Sequence, residues 1–148
     1  MSFPTLHQKQ GSSESNPSAL IQTMTFSEKG YHVAVSTEDG FIAVWDLRKQ
    51  KKVATITSDE DDKEAYATVL SFDPVGKYLS FGTSNGKTVV TTVKEWNKKI
   101  TLKEDEEEKK GKKSQSKITG LVWSTDAQGI VTSGEDDRTV KFWGVADS

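Results

Sequence analysis

Cysteine is absent from this 148-residue sequence, which excludes disulfide frameworks, thiolate metal sites and a cysteine nucleophile. Histidine is scarce. His7 and His32 are the two, and neither stands at metal-ligand spacing from an acidic partner, so no metal site is expected. The acidic run at 59–62 lacks the alternating ligands, central glycine and terminal glutamate spacing of a calcium loop. A Gly-rich phosphate loop and a serine elbow are also missing, so the expectation is a chain without enzymatic activity and without a cofactor. No apolar run approaches the roughly 18–20 residues of a membrane span, and no signal-peptide core opens the sequence. The expectation is an intracellular protein that does not enter a membrane. Charge of one sign is lacking too: 20 basic residues against 22 acidic ones leave a net charge of −2. Without an overall basic field, nucleic acid is expected only indirectly, through other proteins. Apolar residues make up 33% of the chain. That is a low fraction, which sheet-rich repeats tolerate because half of each strand faces outward.

What the sequence does have is a repeat. The stretch 36–49 opens with the turn Glu38-Asp39-Gly40, where glycine supplies the positive φ of a strand reversal. An alternating strand follows, with Phe41, Ala43 and Trp45 on one face and Ile42 and Val44 on the other, and it closes on Trp45-Asp46. An aspartate six residues before a strand tryptophan resembles the WD repeat, the blade unit of β-propellers. Asp137 and Trp143 repeat that spacing. The strand leading into each hairpin repeats as well, at 21–26, 67–72 and 118–123, each followed by a turn with a glycine. Phe26, Phe72 and Trp123 are 46 and 51 positions apart, against a usual period of about 40–45. The charged segment 103–117 accounts for the longer interval.

The expected fold is therefore all-β, with about three WD40-type blades of an incomplete propeller. Residues 1–19 form an arm and loop, 20–57 a full repeat, and 65–102 a degenerate repeat in which Thr91-Thr92 replace the aromatic ending and Trp96 lies beyond. Strands are expected at 20–26, 31–36, 41–46 and 51–57, then at 66–72, 77–82, 88–93 and 98–102. Residues 103–117, an acidic block abutting a basic one, read as a disordered insertion, and 118–148 as a final repeat lacking most of its outer strand. The acidic run 58–63 is expected to stay solvated. Closed propellers have about four to eight blades. Three leave two inter-blade faces uncovered, so the remaining blades are expected in a longer chain or from other chains.

The repeat also places the candidate site residues. His7, Ser36, Asp39 and Trp45 suit a buried structural set in which a loop histidine bonds the turn aspartate and a strand hydroxyl meets the tryptophan N–H. The other reading of His7 is a mobile arm. Asp137 and Trp143 are the matching pair in the last repeat, without a preceding histidine. Glu38 and Asp136, each just before the structural aspartate of its turn, are the candidate partner contacts. The basic cluster 109–113 reads as linker, since the adjacent acidic block cancels most of its field.

Two resemblances sharpen the functional expectation. Trp45-Asp46-Leu47-Arg48 is similar to the motif by which WD propellers serve as substrate receptors of cullin-type ubiquitin ligases, which implies contact roles for Asp46 and Arg48. The competing reading is a local Asp46–Arg48 pair. The stretches 26–31 and 44–49, the turn at 73–79, Lys94-Glu95-Trp96 and the ending Arg138 to Trp143 together resemble the late blades of the pre-mRNA-processing factor 19 family. That family is a spliceosomal scaffold and U-box ubiquitin ligase whose C-terminal propeller binds partners. The resemblance implies a nuclear, non-enzymatic interaction module docking splicing or ubiquitin-ligase proteins. It covers about 20–143 apart from the charged insertion. With no U-box or coiled-coil heptads in these residues, ligase activity and tetramerisation are not carried over.

Overall fold

Alternating apolar and polar side chains, broken by polar turns, fold into eleven strands among the described residues. The structure, a computed structural model, describes residues 19–102, 116–136 and 138–144. His7, Asp137 and most of the charged insertion lie outside them. The first sheet runs β1 (Ile21–Phe26), β2 (His32–Thr37), β3 (Phe41–Asp46) and β4 (Lys51–Thr57), paired in that order. The second repeats the arrangement with β5 (Ala67–Phe72), β6 (Tyr78–Thr83), β7 (Thr88–Thr92) and β8 (Glu95–Leu102). The third has β9 (Ile118–Trp123), β10 (Gly129–Gly134) and β11 (Val140–Gly144), again consecutive and antiparallel.

The sheets are copies down to individual backbone bonds. In the β1–β2 turn and its two equivalents, Ser27, Asp73 and Ser124 donate their N–H to the carbonyls of His32, Tyr78 and Gly129 at 2.9–3.0 Å. At the opposite end, Glu38, Ser84 and Glu135 donate to Leu20, Tyr66 and Lys117, each at 2.9 Å. These positions are spaced as Phe26, Phe72 and Trp123 are. The third hairpin departs in one detail. Ser36 pairs with Ile42 but Ser133 with Val140, so its connection is one residue longer.

Packing between sheets explains the burial. Ala34, Ile42, Val44 and Ile56 of the first sheet meet Leu70, Phe72, Leu79, Phe81 and Val89 of the second in one core cluster. The third sheet covers the other face of the second. There Thr68 Oγ1 donates to Ile118 O at 2.5 Å, and a Cβ at Gly82 would overlap the Ile118 side chain. Having neighbours on both sides, β6 is buried from Leu79 through Thr83, including Ser80 and Thr83. Among the described residues, each end sheet keeps one face uncovered. Met24 (64% exposed) and Phe26 mark that face on the first sheet, and Val122, Val140 and Phe142 (71% exposed) mark it on the third.

Two expectations are corrected. The fourth strand of the second sheet begins at Glu95 rather than 98, because Thr92 pairs with Glu95 across the Val93-Lys94 turn. Trp96 therefore lies inside that strand and packs partly buried against the core. The acidic run is not wholly solvated either: Ser58 and Asp59 are buried.

The packing predicts an asymmetry between two phenylalanines. Phe81→Ala should lower unfolding free energy by about 3–5 kcal/mol, through lost burial and a residual cavity. Phe142→Ala should change it by no more than about 0.5 kcal/mol. Urea denaturation followed by tryptophan fluorescence distinguishes them, and equal losses would contradict the assignment of the covered face.

Candidate protein-interaction surface

Connections of a strand-by-strand sheet fall alternately at its two ends, so the candidate residues divide between two surfaces. One end carries the β2–β3 turn (38–40), the crossing 58–66 between the first and second sheets, the β6–β7 turn (84–87) and, between β10 and β11, residues 135–136 and 138–139. The other end carries 27–31, 47–50, 73–77 and 124–128. Glu38 and Asp136 belong to the first surface, and Asp46 and Arg48 to the second. The structure does not bring these four together.

The first surface is held by backbone and polar ties. Gly40 has φ +90°, and a Cβ there would stand 2.9 Å from Ala65 O, so the turn and the crossing lie in close contact. Ser58 N–H donates to Gly40 O at 2.8 Å. Thr37 Oγ1 donates to Asp39 Oδ1, while the buried Asp39 Oδ2 has no partner among the described residues. Asp59 forms the main link to the next sheet. Its carboxylate lies 2.7 Å from Lys87 Nζ and accepts from Asn85 Nδ2 at 2.8 Å and from Asp61 N–H at 3.0 Å. Burial alone would raise its pKa, but these donors outweigh burial and hold it below the usual carboxylate value. Alongside, Lys99 Nζ donates to Glu60 Oε1 at 2.8 Å and Thr57 O at 3.1 Å. Asp136 N–H is anchored by Ser116 Oγ at 2.7 Å. Above these ties Glu38, Glu60, Asp61, Glu64, Glu135 and Asp136 are exposed, forming a rim of carboxylates.

Sequence reading missed the Asp59–Lys87 link. Its signal is recoverable once strands are assigned: the acidic crossing after β4 must pass the next sheet's turn, and Lys87 is the cation in that turn.

At the second surface Asp46 is buried, and its Oδ1 accepts the N–H groups of Arg48 (2.9 Å) and Lys49 (3.2 Å). Burial opposes ionisation, but those N–H groups and the nearby positive charges lower its pKa. Arg48 is 3.6 Å from Asp46 Oδ2, and its guanidinium lies over the Tyr31 ring at 3.9 Å. The local pair is thus formed, with the Arg48 side chain still 58% exposed. His32, opposite Asp46 in the strand register, meets Trp96 edge-on at 5.4 Å. Desolvation lowers its pKa against the pull of Asp46, with Arg48, Lys94 and Lys49 acting in the same direction as burial.

The structural polar set is partly rearranged. Trp143 Nε1 donates to Thr132 Oγ1 at 3.0 Å, so a strand hydroxyl does meet a repeat tryptophan in the third sheet. In the first sheet Ser36 does not serve Trp45. Trp45 pairs with Val33, and Ser36 is an odd number of residues along the strand, so the two side chains lie on opposite faces. The Ser36 hydroxyl donates instead to Ala67 O of the second sheet at 2.9 Å. A further tryptophan tie went unforeseen: Trp123 Nε1 donates to Ser80 Oγ at 2.7 Å, and its ring stacks on Tyr78 at 6.1 Å. His7 and Asp137 lie outside the described residues.

Three repeated sheets, Trp143 on a strand hydroxyl and Asp39 in a glycine turn describe a repeat family. The family model of the WD domain, G-beta repeat, matches residues 8–46 and 107–144, together just over half the chain. The chain belongs to the WD40 family. The unmatched middle repeat is the one that lost its Trp-Asp ending. Among solved structures, a chain of the crystal structure of the mitotic checkpoint complex aligns with a TM-score of 0.70 over 90% of this chain, at 23% identity. This WD40 chain spans 37% of that one. No curated protein sequence matches the chain at a significant level.

The titration shifts predict acid sensitivity. His32 has a folded pKa below the ordinary value of about 6.5. The unfolded chain therefore takes up its proton first as pH falls, and stability decreases below about 6.5. Asp46 and Asp59, with lowered pKa values, contribute stability that is lost only on acidification through the carboxylate range near 4 and below. Urea midpoints should decline between pH 7.5 and 5.5, and His32→Gln should flatten that decline. An unchanged slope in the variant would exclude His32 as its source.

Proposed function

We propose that this WD40 chain is a non-enzymatic docking module, part of a propeller that presents its acidic rim to protein partners in a nuclear pre-mRNA splicing or ubiquitin-ligase complex. The observation that carries the docking role is the set of exposed carboxylates, Glu38, Glu135 and Asp136 among them, on turns tied to neighbouring strands. A rigid, charged rim selects a partner of complementary charge and adds little ordering cost on binding. Membership of the WD40 family supports an interaction role, and the solved neighbour also sits in a multi-protein complex. The splicing context draws on the resemblance of 26–31, 44–49 and 138–143 to the pre-mRNA-processing factor 19 family. The uncovered faces of the end sheets suit further blades in a longer chain. Contact with nucleic acid is indirect in this reading, through bound proteins.

The alternative, a substrate receptor of a cullin-type ligase, is favoured by one observation. Arg48 is exposed yet held over Tyr31 and beside Asp46, which gives a partner an ordered guanidinium to bind.

Both readings are tested by affinity purification of the tagged chain from nuclear extract. Splicing proteins should co-purify, and the double reversal Glu38→Lys with Asp136→Lys should reduce them about tenfold or more while leaving the circular dichroism unchanged. Retention by the double variant would overturn the rim assignment. Recovery of cullin-ligase subunits instead, lost in Arg48→Ala, would establish the alternative.

A further inference from the structure

We propose that the uncovered face of the third sheet packs on the uncovered face of the first sheet in a second copy of this chain. The contact forms twice, head to tail, and joins the sheets of two chains into one closed ring. It goes beyond the docking reading and does not depend on it. Each uncovered face is the counterpart of a face already covered inside the molecule, and this equivalence carries the proposal. The spacing that aligns Phe26 with Phe72 and Trp123 also aligns Met24 with Leu70. The strand pairings, with the one extra residue of the third hairpin, align Ile42 with Val140 and Val44 with Phe142. Ile42 and Val44 are buried where the first sheet meets the second, whereas Val140 and Phe142 are exposed. Leu70 and Phe72 belong to the second-sheet face that receives that contact and are buried, whereas Met24 and Phe26 are exposed. The third sheet thus offers the packing face, and the first sheet offers the receiving one.

Bulk and polar ties match as well. Val44 and Phe81 share the core cluster at the first junction. Their counterparts on the uncovered faces are Phe142 and Val35, so the aromatic ring has changed sides and the space to be filled is similar. Across the covered junctions, Ser36 Oγ donates to Ala67 O at 2.9 Å and Thr68 Oγ1 to Ile118 O at 2.5 Å. By the repeat spacing, Ser133 and Thr119 stand where Ser36 and Thr68 do, and Ile21 stands where Ala67 and Ile118 do. In the single chain the Ser133 and Thr119 hydroxyls lie 3.0 Å from each other. Turned across the new junction, either can donate to Ile21 O of the second copy. One chain cannot bring its own end faces together, because closed rings have at least about four sheets. Two copies related by a two-fold axis join both pairs of faces at once and leave none open. Further blades in a longer chain would occupy the same faces, so the two arrangements exclude each other.

Sedimentation equilibrium of the full 148-residue chain tests the proposal. At about 100 μM the chain is expected at twice its own mass, and at about 1 μM as a single chain. Stability comparisons that depend on an uncovered end face apply in that dilute range. Phe142→Glu and Phe26→Lys, both at exposed positions, should each weaken association about tenfold or more with unchanged circular dichroism. Mixed with each other, the two variants should regain a mass of two chains. One junction of the mixed pair carries neither change, and the other carries both, with opposite charges. A single-chain mass at about 100 μM would assign the faces to other blades and overturn the proposal. A mass above two chains, undiminished association of Phe142→Glu, or failure of the mixed variants to associate would overturn it too.

Discussion

Burial of one sheet face against the next is the interaction on which the rest of this molecule depends. A single four-stranded sheet offers its apolar side chains two faces, and neither can be left in water without losing about 25 cal/mol for each Å² of apolar surface. Stacking solves this for the middle sheet alone, which is why Leu79, Phe81, Ser80 and Thr83 are buried on opposite faces of the same strand. The end sheets satisfy half of the requirement. The outer faces carrying Met24 and Phe26 at one end and Val122 and Phe142 at the other are chemically the same kind of surface as those that meet inside. Repeat architectures distribute stability in this way, as contributions within units plus contributions between neighbours.

Apolar stacking sets the order of the sheets, and polar ties fix how their ends line up. Ser36 reaches Ala67 O, Thr68 reaches Ile118 O, and Trp123 reaches Ser80 across successive sheets. Asp59 and Lys87 do the same at the rim. Each tie fills the hydrogen-bonding capacity of a buried group, and each is directional where apolar contact is not. The turns that carry exposed carboxylates are therefore held in fixed relative positions. This is the physical basis for reading the rim as a recognition surface.

Much of this was legible in the residues. Alternation in 41–46 and the Gly40 turn specified β3 and its hairpin, and the recurrence of Phe26, Phe72 and Trp123 specified three sheets. The uncovered end faces followed from counting blades. What was not legible depended on register and on neighbours. Ser36 was paired with Trp45 by analogy, yet its position relative to Val33 puts it on the other face. The β8 start at Glu95 depends on how tightly Val93 and Lys94 turn, and Lys94 takes a positive φ of 75° there, which its residue type does not announce. The acidic run looked solvated because sequence shows its own charges and not Lys87, more than twenty residues further on.

Hydrogen exchange resolved residue by residue tests the central claim, that stability resides in the covered faces between sheets. The amides of β6 should be the slowest to exchange, since that strand has neighbours on both faces, and those of β10, also an inner strand of its sheet but with one face uncovered, should exchange markedly earlier. Protection in β10 equal to that in β6 would contradict the account, because a strand with one face in water would then be as secure as one enclosed on both sides.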